Sequence, residues 1–231
     1  MKAFIIIVFS GILCVLSLRT YSKTTCSSVK SSDTVHVGEQ VWALKNLDVD
    51  TFRNGDIIKE AQSLDEWINA CKEGIPAWCN YDNDTCNGKI FGKLYNWYAV
   101  NDPRGLAPEG FKIPDSSDFL KLLDYVKGRT NSITERNNEL LNNEHYPWAN
   151  NKSGFSALRT GKRFGYIALW TPPDTLNRFI GLNVNANFWT SELCNYDTNY
   201  VWVFEINLDP PTDIYGYDKY FGFPVRCILD E

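Results

Sequence analysis

The chain has 231 residues, 44% of them hydrophobic, and carries 28 acidic against 23 Lys and Arg side chains for a formal charge of −5. That length supports one domain with a sizeable core, and no repeat, heptad or low-complexity tract interrupts it. An acidic balance excludes nucleic acid and anionic membrane surfaces as expected partners, since both need a basic face.

In chain order, Lys2 followed by the apolar run Ala3 to Leu18 reads as an export signal, and Thr20 and Ser22 have signal-peptidase spacing. Residues 1–22 are therefore expected to be removed after Ser22. The run is short for a span of roughly 20 residues, and no second hydrophobic segment follows, which favours removal over anchoring. Cys14 follows Leu13 and Cys26 follows Thr25, where lipidation asks for a small residue, so lipoprotein processing ranks below plain secretion. Any membrane contact is then limited to the cleaved signal or such lipidation. The expected location is secreted or cell surface, in the periplasm or at the outer membrane. Lys2 and Arg19 leave with the signal, making the remainder more acidic.

Residues 23–34, rich in Ser, Thr and Lys, read as a flexible leader, and residues 35–231 as one domain. Val41 to Leu44 suits a first strand closed by Asn46. Asn54-Gly55-Asp56 reads as a hairpin turn because Asn and Gly tolerate positive φ. Ser63 with Glu66 forms a capping box, and Leu64, Trp67, Ile68 and Cys71 follow on one helical face, stopped by Gly74. Asn87-Gly88 reads as a turn. Phe91, Leu94, Tyr95 and Tyr98 have helical spacing, so a helix is expected there. A further helix starts at the N-cap Asp115, buries Phe119, Leu122, Leu123 and Val126, and ends at Lys127-Gly128. Pro172-Pro173 and Pro210-Pro211 mark loops. Val201 to Leu208 alternates, with Trp202, Phe204, Ile206 and Leu208 on one face and Glu205 and Asn207 on the other. Phe223, Val225, Cys227 and the run to Leu229 read as a terminal strand. Helices early and strands late give an α+β class with long loops.

Seven cysteines are present; Cys14 leaves with the signal, and the remaining even number reads as disulfides in an exported chain. Structural zinc is disfavoured, because there is no Cys-x-x-Cys and the only histidines are His36 and His145.

No catalytic constellation stands out. Nucleophilic hydrolysis needs a nucleophile, a base and an orienting acid, yet His36 sits near the start and His145 in a polar loop. Gly161-Lys162-Arg163 lacks the glycine spacing of a phosphate loop and reads as a turn. Glu192, Asn195, Asp197 and Asn199 are candidate calcium ligands, since Ca²⁺ takes roughly six to eight hard oxygens, but a solvated acidic loop is the default reading. Eight Trp and twelve Tyr residues leave aromatics as the remaining lead. Trp148, Trp170, Tyr196, Tyr215, Tyr217 and Tyr220 fall in loop-like contexts where a ring can stack on a sugar. Trp42, Trp67, Trp97, Trp189 and Trp202 read as core. No cofactor is expected.

The segment Ile90-Phe91-Gly92-Lys93-Leu94-Tyr95-Asn96-Trp97-Tyr98-Ala99-Val100, continued by Leu106 to Pro114, resembles the signature of the Fibrobacter succinogenes major paralogous domain. Pro76-Ala77-Trp78-Cys79, Gly154-Phe155-Ser156-Ala157-Leu158, Phe188-Trp189-Thr190-Ser191 and Gly222-Phe223-Pro224-Val225-Arg226-Cys227 follow in the family's order, covering roughly residues 35–229. The resemblance implies a C-type lectin-like fold of the formylglycine-generating-enzyme branch, with few helices, irregular antiparallel sheet and long loops. It also implies a Cys79–Cys227 bridge, with Cys71–Cys194 and Cys26–Cys86 as accompanying guesses. The oxidases of that branch bind copper through two closely spaced cysteines near the C-terminus. No cysteine lies between Cys194 and Cys227, so that chemistry is expected to be lost. The expected function is a non-catalytic binding or interaction module with an extracellular glycan or protein as ligand. The alternatives are a divergent formylglycine-generating-type oxidoreductase and a structural surface-layer component.

Overall fold

The computed structural model describes residues 33–165, 179–207 and 211–230. The expected signal, nearly all of the leader, Cys26, Trp170, Pro172-Pro173, Leu208 and Pro210 lie outside them. The order is β1 (Thr34–Val37), β2 (Gln40–Ala43), β3 (Lys59–Glu60), α1 (Leu64–Glu73), β4 (Ala77–Cys79), α2 (Thr85–Phe91), β5 (Leu94–Tyr95) and α3 (Trp97–Val100). Then come β6 (Phe111–Lys112), α4 (Ser116–Lys127), α5 (Ile133–Leu140), β7 (Lys162–Arg163), β8 (Phe179–Ile180), β9 (Ala186–Leu193), β10 (Tyr200–Ile206), β11 (Asp213–Asp218) and β12 (Ile228–Leu229). The class is α+β, with small sheets ordered β1-β2-β12-β6, β11-β10-β9, β3-β4-β5 and β7-β8.

The helix ends follow local chemistry. Ser63 and Glu66 form the expected capping box of α1, and Gly74 closes it at φ 67°. Asp115 and Asp118 form the second box, at α4. Gly128 there has φ −63°, so its left-handed freedom is not what ends the helix. The turn at Asn54-Gly55-Asp56 is present, with Gly55 at φ 92° and Thr51 bridged to Ile57.

Several expectations are corrected. The segment 91–98 is not one helix: α2 ends at Phe91, Gly92 turns at φ 77°, and Leu94–Tyr95 leaves to pair with β4 before Asn96 caps α3. Tertiary pairing overrides helical spacing there. Asn87-Gly88 lies inside α2 and is not a turn. Gly88 is there for close approach, since a Cβ would sit 2.0 Å from the Asn80 Oδ1. Lys162 and Arg163 form a strand paired with Ile180 and Phe179. The terminal run from Phe223 is extended but not one strand. Its carbonyls serve successive neighbours: Phe223 accepts from Tyr95, Val225 from Leu47 and Cys227 from Ala43. Only Ile228–Leu229 pairs as a strand, between β2 and β6.

The central sheet is buried on both faces. Trp189, Val201 and Val203 pack with Trp97, Phe223 and Val225. Phe188, Phe204 and Ile206 pack with Trp42, Phe119, Leu122 and Phe155. Burying each such side chain contributes about 1.5–3 kcal/mol. Glu205, placed by alternation on a polar face, is buried with the rest, and Trp202 is only half-buried.

Two arginines are among the largest fully buried side chains. Arg226 donates from Nε and Nη2 to the Asn46 Oδ1 at 3.0 and 2.8 Å, and from Nη1 to the carbonyls of Ala43, Leu44 and Phe155. Burial lowers its pKa to about 9. Arg163 donates to the carbonyls of Ala61 and Ser63 at 2.8 and 2.7 Å and lies over the Trp67 ring. Each fork ties segments distant in sequence into one body.

The expected Cys79–Cys227 and Cys71–Cys194 bridges do not form, and Cys26 of the third expected pair lies outside the described residues. Cys71, Cys79, Cys86, Cys194 and Cys227 are all free thiols. Cys79 packs with Cys71 and Trp67, whereas Cys227 packs with Trp189 and Phe223, in a separate cluster. A disulfide needs its two Cβ atoms about 4 Å apart. Cys194 lies instead beside Gly216 and Tyr196. Burial pushes Cys71 and Cys227 up to about 12 and Cys79 up to about 11, so these thiols stay protonated. Cys86 alone of the five is exposed.

Candidate binding site

The candidate calcium ligands are engaged in local structure. Glu192 accepts from the amide and hydroxyl of Ser116, at the start of α4. Asp197 accepts from the Asn199 amide and closes the β9–β10 turn, while Asn195 is exposed. Among the described residues, no three His, Cys, Asp or Glu side chains gather where they could hold a metal ion.

The aromatic candidates divide. Tyr217 packs on Phe221 and Phe223, and its hydroxyl donates to Glu205 Oε2 at 2.6 Å. Lys162 Nζ donates to the same hydroxyl at 3.2 Å. Burial lowers the Lys162 pKa and, with the Glu205 carboxylate, raises the Tyr217 pKa. This Lys162–Tyr217–Glu205 chain is an interior network that the sequence did not reveal, because its members come from three strands. Tyr215 donates to the Pro211 carbonyl at 2.5 Å and is half-buried. Tyr196 is 64% exposed and lies against Tyr200 and Trp202. Its hydroxyl covers Gly216, where a Cβ would meet it at 2.0 Å. Tyr220 is half-buried, and its carbonyl accepts from the Trp67 indole.

Trp148 is 52% exposed and lines a cavity of about 360 Å³ with Thr134, Asn137 and Asn138 of α5 and with Arg159. The geometry follows from the chain around it. Ser132 caps α5 by accepting from the Glu135 amide, setting the helix beside the 142–159 loop. The Asn138 carbonyl accepts from the Asn150 and Asn151 amides and holds that loop against the helix. Tyr146 is buried; its ring packs on Trp148 at 5.7 Å, and its hydroxyl accepts from the Arg159 amide at 2.7 Å. Arg159 is thereby set with its guanidinium over Trp148 at 4.6 Å and Tyr146 at 5.6 Å.

This arginine differs from the interior two in its Nη groups, which bond to no described residue, whereas those of Arg163 and Arg226 are bonded. Its Nε is buried and unpartnered, as is that of Arg163, and no described carboxylate pairs with the guanidinium. Burial pulls its pKa below the ordinary value, with the Tyr146 phenol opposing. Asn137 is spoken for, donating to the Asn207 carbonyl and accepting from Thr212. Trp148 was legible from its loop context. Arg159 and Asn138 were missed, and only their proximity to that ring in the folded chain marks them.

A second cleft, about 470 Å³, lies between α2 and residues 142–158 and is lined by Lys45, Asp48, Lys89, Asn142, Asn151 and Ser156 among others. Its amides largely satisfy one another. Asn142 and Asn151 both donate to the Ser156 hydroxyl, and Asn151 accepts from the Ser156 amide. Nearby His145 is exposed and packs edge-on against Phe91.

No described helix is long and apolar enough to cross a membrane. Neither the curated proteins nor the solved structures contain one that matches this chain. The family model of the Fibrobacter succinogenes major domain matches residues 35–229, from β1 to the last residue of β12, and the chain belongs to that family.

Proposed function

We propose that this chain is a binding module that works outside the cell or at its surface and holds its ligand at the Trp148 cleft. The single observation that carries this reading is a half-exposed indole set on the wall of a cavity of about 360 Å³. Ligand pockets typically span about 300–1,000 Å³, with aromatic walls and a few placed polar groups. Export is supported by Lys2 and the apolar run from Ala3 to Leu18. A C-type lectin-like scaffold is supported by the ordered motifs and by small antiparallel sheets joined by long loops, an architecture that carries ligands on its loops.

Sugar rings are the ligand class in view, because their CH faces stack on an exposed indole. The test is a titration of the whole chain with a panel of oligosaccharides, read by tryptophan emission and repeated with Trp148→Ala. Binding that vanishes in the variant supports the reading. Binding that survives it, or no saccharide binding at all, overturns it.

A further inference from the structure

We propose that the Trp148 cleft selects a carboxylate-bearing sugar, such as the uronic-acid unit of an acidic polysaccharide. The inference rests on the reading that this cleft binds the ligand. Its independent support is the state of Arg159. The Nη groups of Arg226 and Arg163 are taken up by protein acceptors, whereas the Arg159 guanidinium, stacked over Trp148, makes no hydrogen bond and no ion pair among the described residues. A half-buried guanidinium with no counter-ion among the described residues can take a ligand carboxylate by bidentate hydrogen bonding from its Nη groups.

The setting agrees. The chain carries a formal charge of −5, so an anionic polymer gains nothing from the overall field and must find a local cation. Cation and indole line one cavity, placing a charge contact beside a stacking face. Asn138 lines the same cavity, and its amide is of the kind that bonds ring hydroxyls. An acidic peptide fits less well. Among the described residues the cavity is walled by α5 and a loop and offers no strand edge for backbone pairing.

The experiment titrates the whole chain with tri-galacturonate, neutral tri-galactose and a tri-glutamate peptide, following tryptophan emission and heat. We expect tri-galacturonate to bind at least tenfold more tightly than tri-galactose, with the margin shrinking as salt rises. Arg159→Gln should erase that margin, Arg159→Lys should keep part of it, and Trp148→Ala should lose both sugars. Melting curves of each variant report folding. Should Arg159→Gln not fold, the salt dependence and Arg159→Lys still decide. Equal or better binding of tri-galactose overturns the acidic specificity while leaving the cleft as a sugar site. Tighter binding of tri-glutamate overturns the sugar class. No binding of any probe overturns the cleft reading and this inference with it.

Discussion

The two interior arginines and the one at the α5 cleft carry the same side chain in opposite states. Arg226 is fully buried among Phe155 and Phe188, yet four acceptors fill its fork. Arg163 is held by two carbonyls, with only its Nε unpaired. Arg159 is half-buried against two rings and carries no such bonds. Satisfied donors in the interior make a clasp that holds loops in place, whereas unsatisfied donors beside a cavity leave binding capacity unused. The difference lies in the partners, not in the residue, and under the proposed function it separates scaffold from site.

The contrast can be broken most directly at the clasp. Arg226→Ala should cost about 3–5 kcal/mol in urea unfolding, because the Asn46 amide oxygen and the carbonyls it serves become buried and unpaired. A loss below about 1 kcal/mol would show that Arg226 does not hold the core together. Gly88→Ala comes next, with an expected cost of about 1–3 kcal/mol from overpacking against Asn80. Helix propensity alone would favour Ala by about 1 kcal/mol, so the sign of the change decides between the two effects.

The buried thiols give a smaller, pH-dependent effect. Above the ordinary value of 9.0, an unfolded Cys79 loses its proton while the folded one keeps it to about 11. The unfolded state then binds fewer protons, so stability falls as pH rises through that window, by about 1.4 kcal/mol per pH unit for this thiol. Arg226, lowered to about 9, pulls the other way, so the quantity to measure is the slope difference between the parent chain and Cys79→Ala. Native-state labelling should modify Cys86 quickly and Cys71, Cys79, Cys194 and Cys227 only on unfolding. The smallest effect belongs to the cleft. Arg159→Met should leave stability unchanged or raise it by up to about 1 kcal/mol, since the unpaired Nε is a cost in the unliganded protein. A loss of several kcal/mol would make Arg159 a clasp like the other two.

Features set by neighbours in sequence were legible. Ser63 with Glu66 and Asp115 with Asp118 cap helices where their spacing places them, and the buried stripe of α4 runs as read. Features set by distant partners were not. Leu94 and Tyr95 have helical spacing, but β4 and Phe223 claim their backbone. Gly88 looks like half of a turn until Asn80 is seen against it. Glu205 reads as polar surface until Asn185 and Tyr217 are found bonded to it. At the candidate site, an exposed Trp148 could be suspected from its loop, but only the fold shows that Arg159 lies over it with no described anion.

The placement of β12 bears on how the chain comes to be folded in time. β1 and β2 form a hairpin early in the sequence, yet their sheet is completed only when Ile228 enters between Trp42 and Lys112. The Arg226 clasp and the backbone bonds from Phe223 to Cys227 arrive with the same stretch. A nascent chain therefore holds β2 and β5 unpaired along one edge until residues 223–229 have been synthesised. Closure of this domain waits on residues 223–229, and its exposure to aggregation or to chaperones lasts until they emerge and pair.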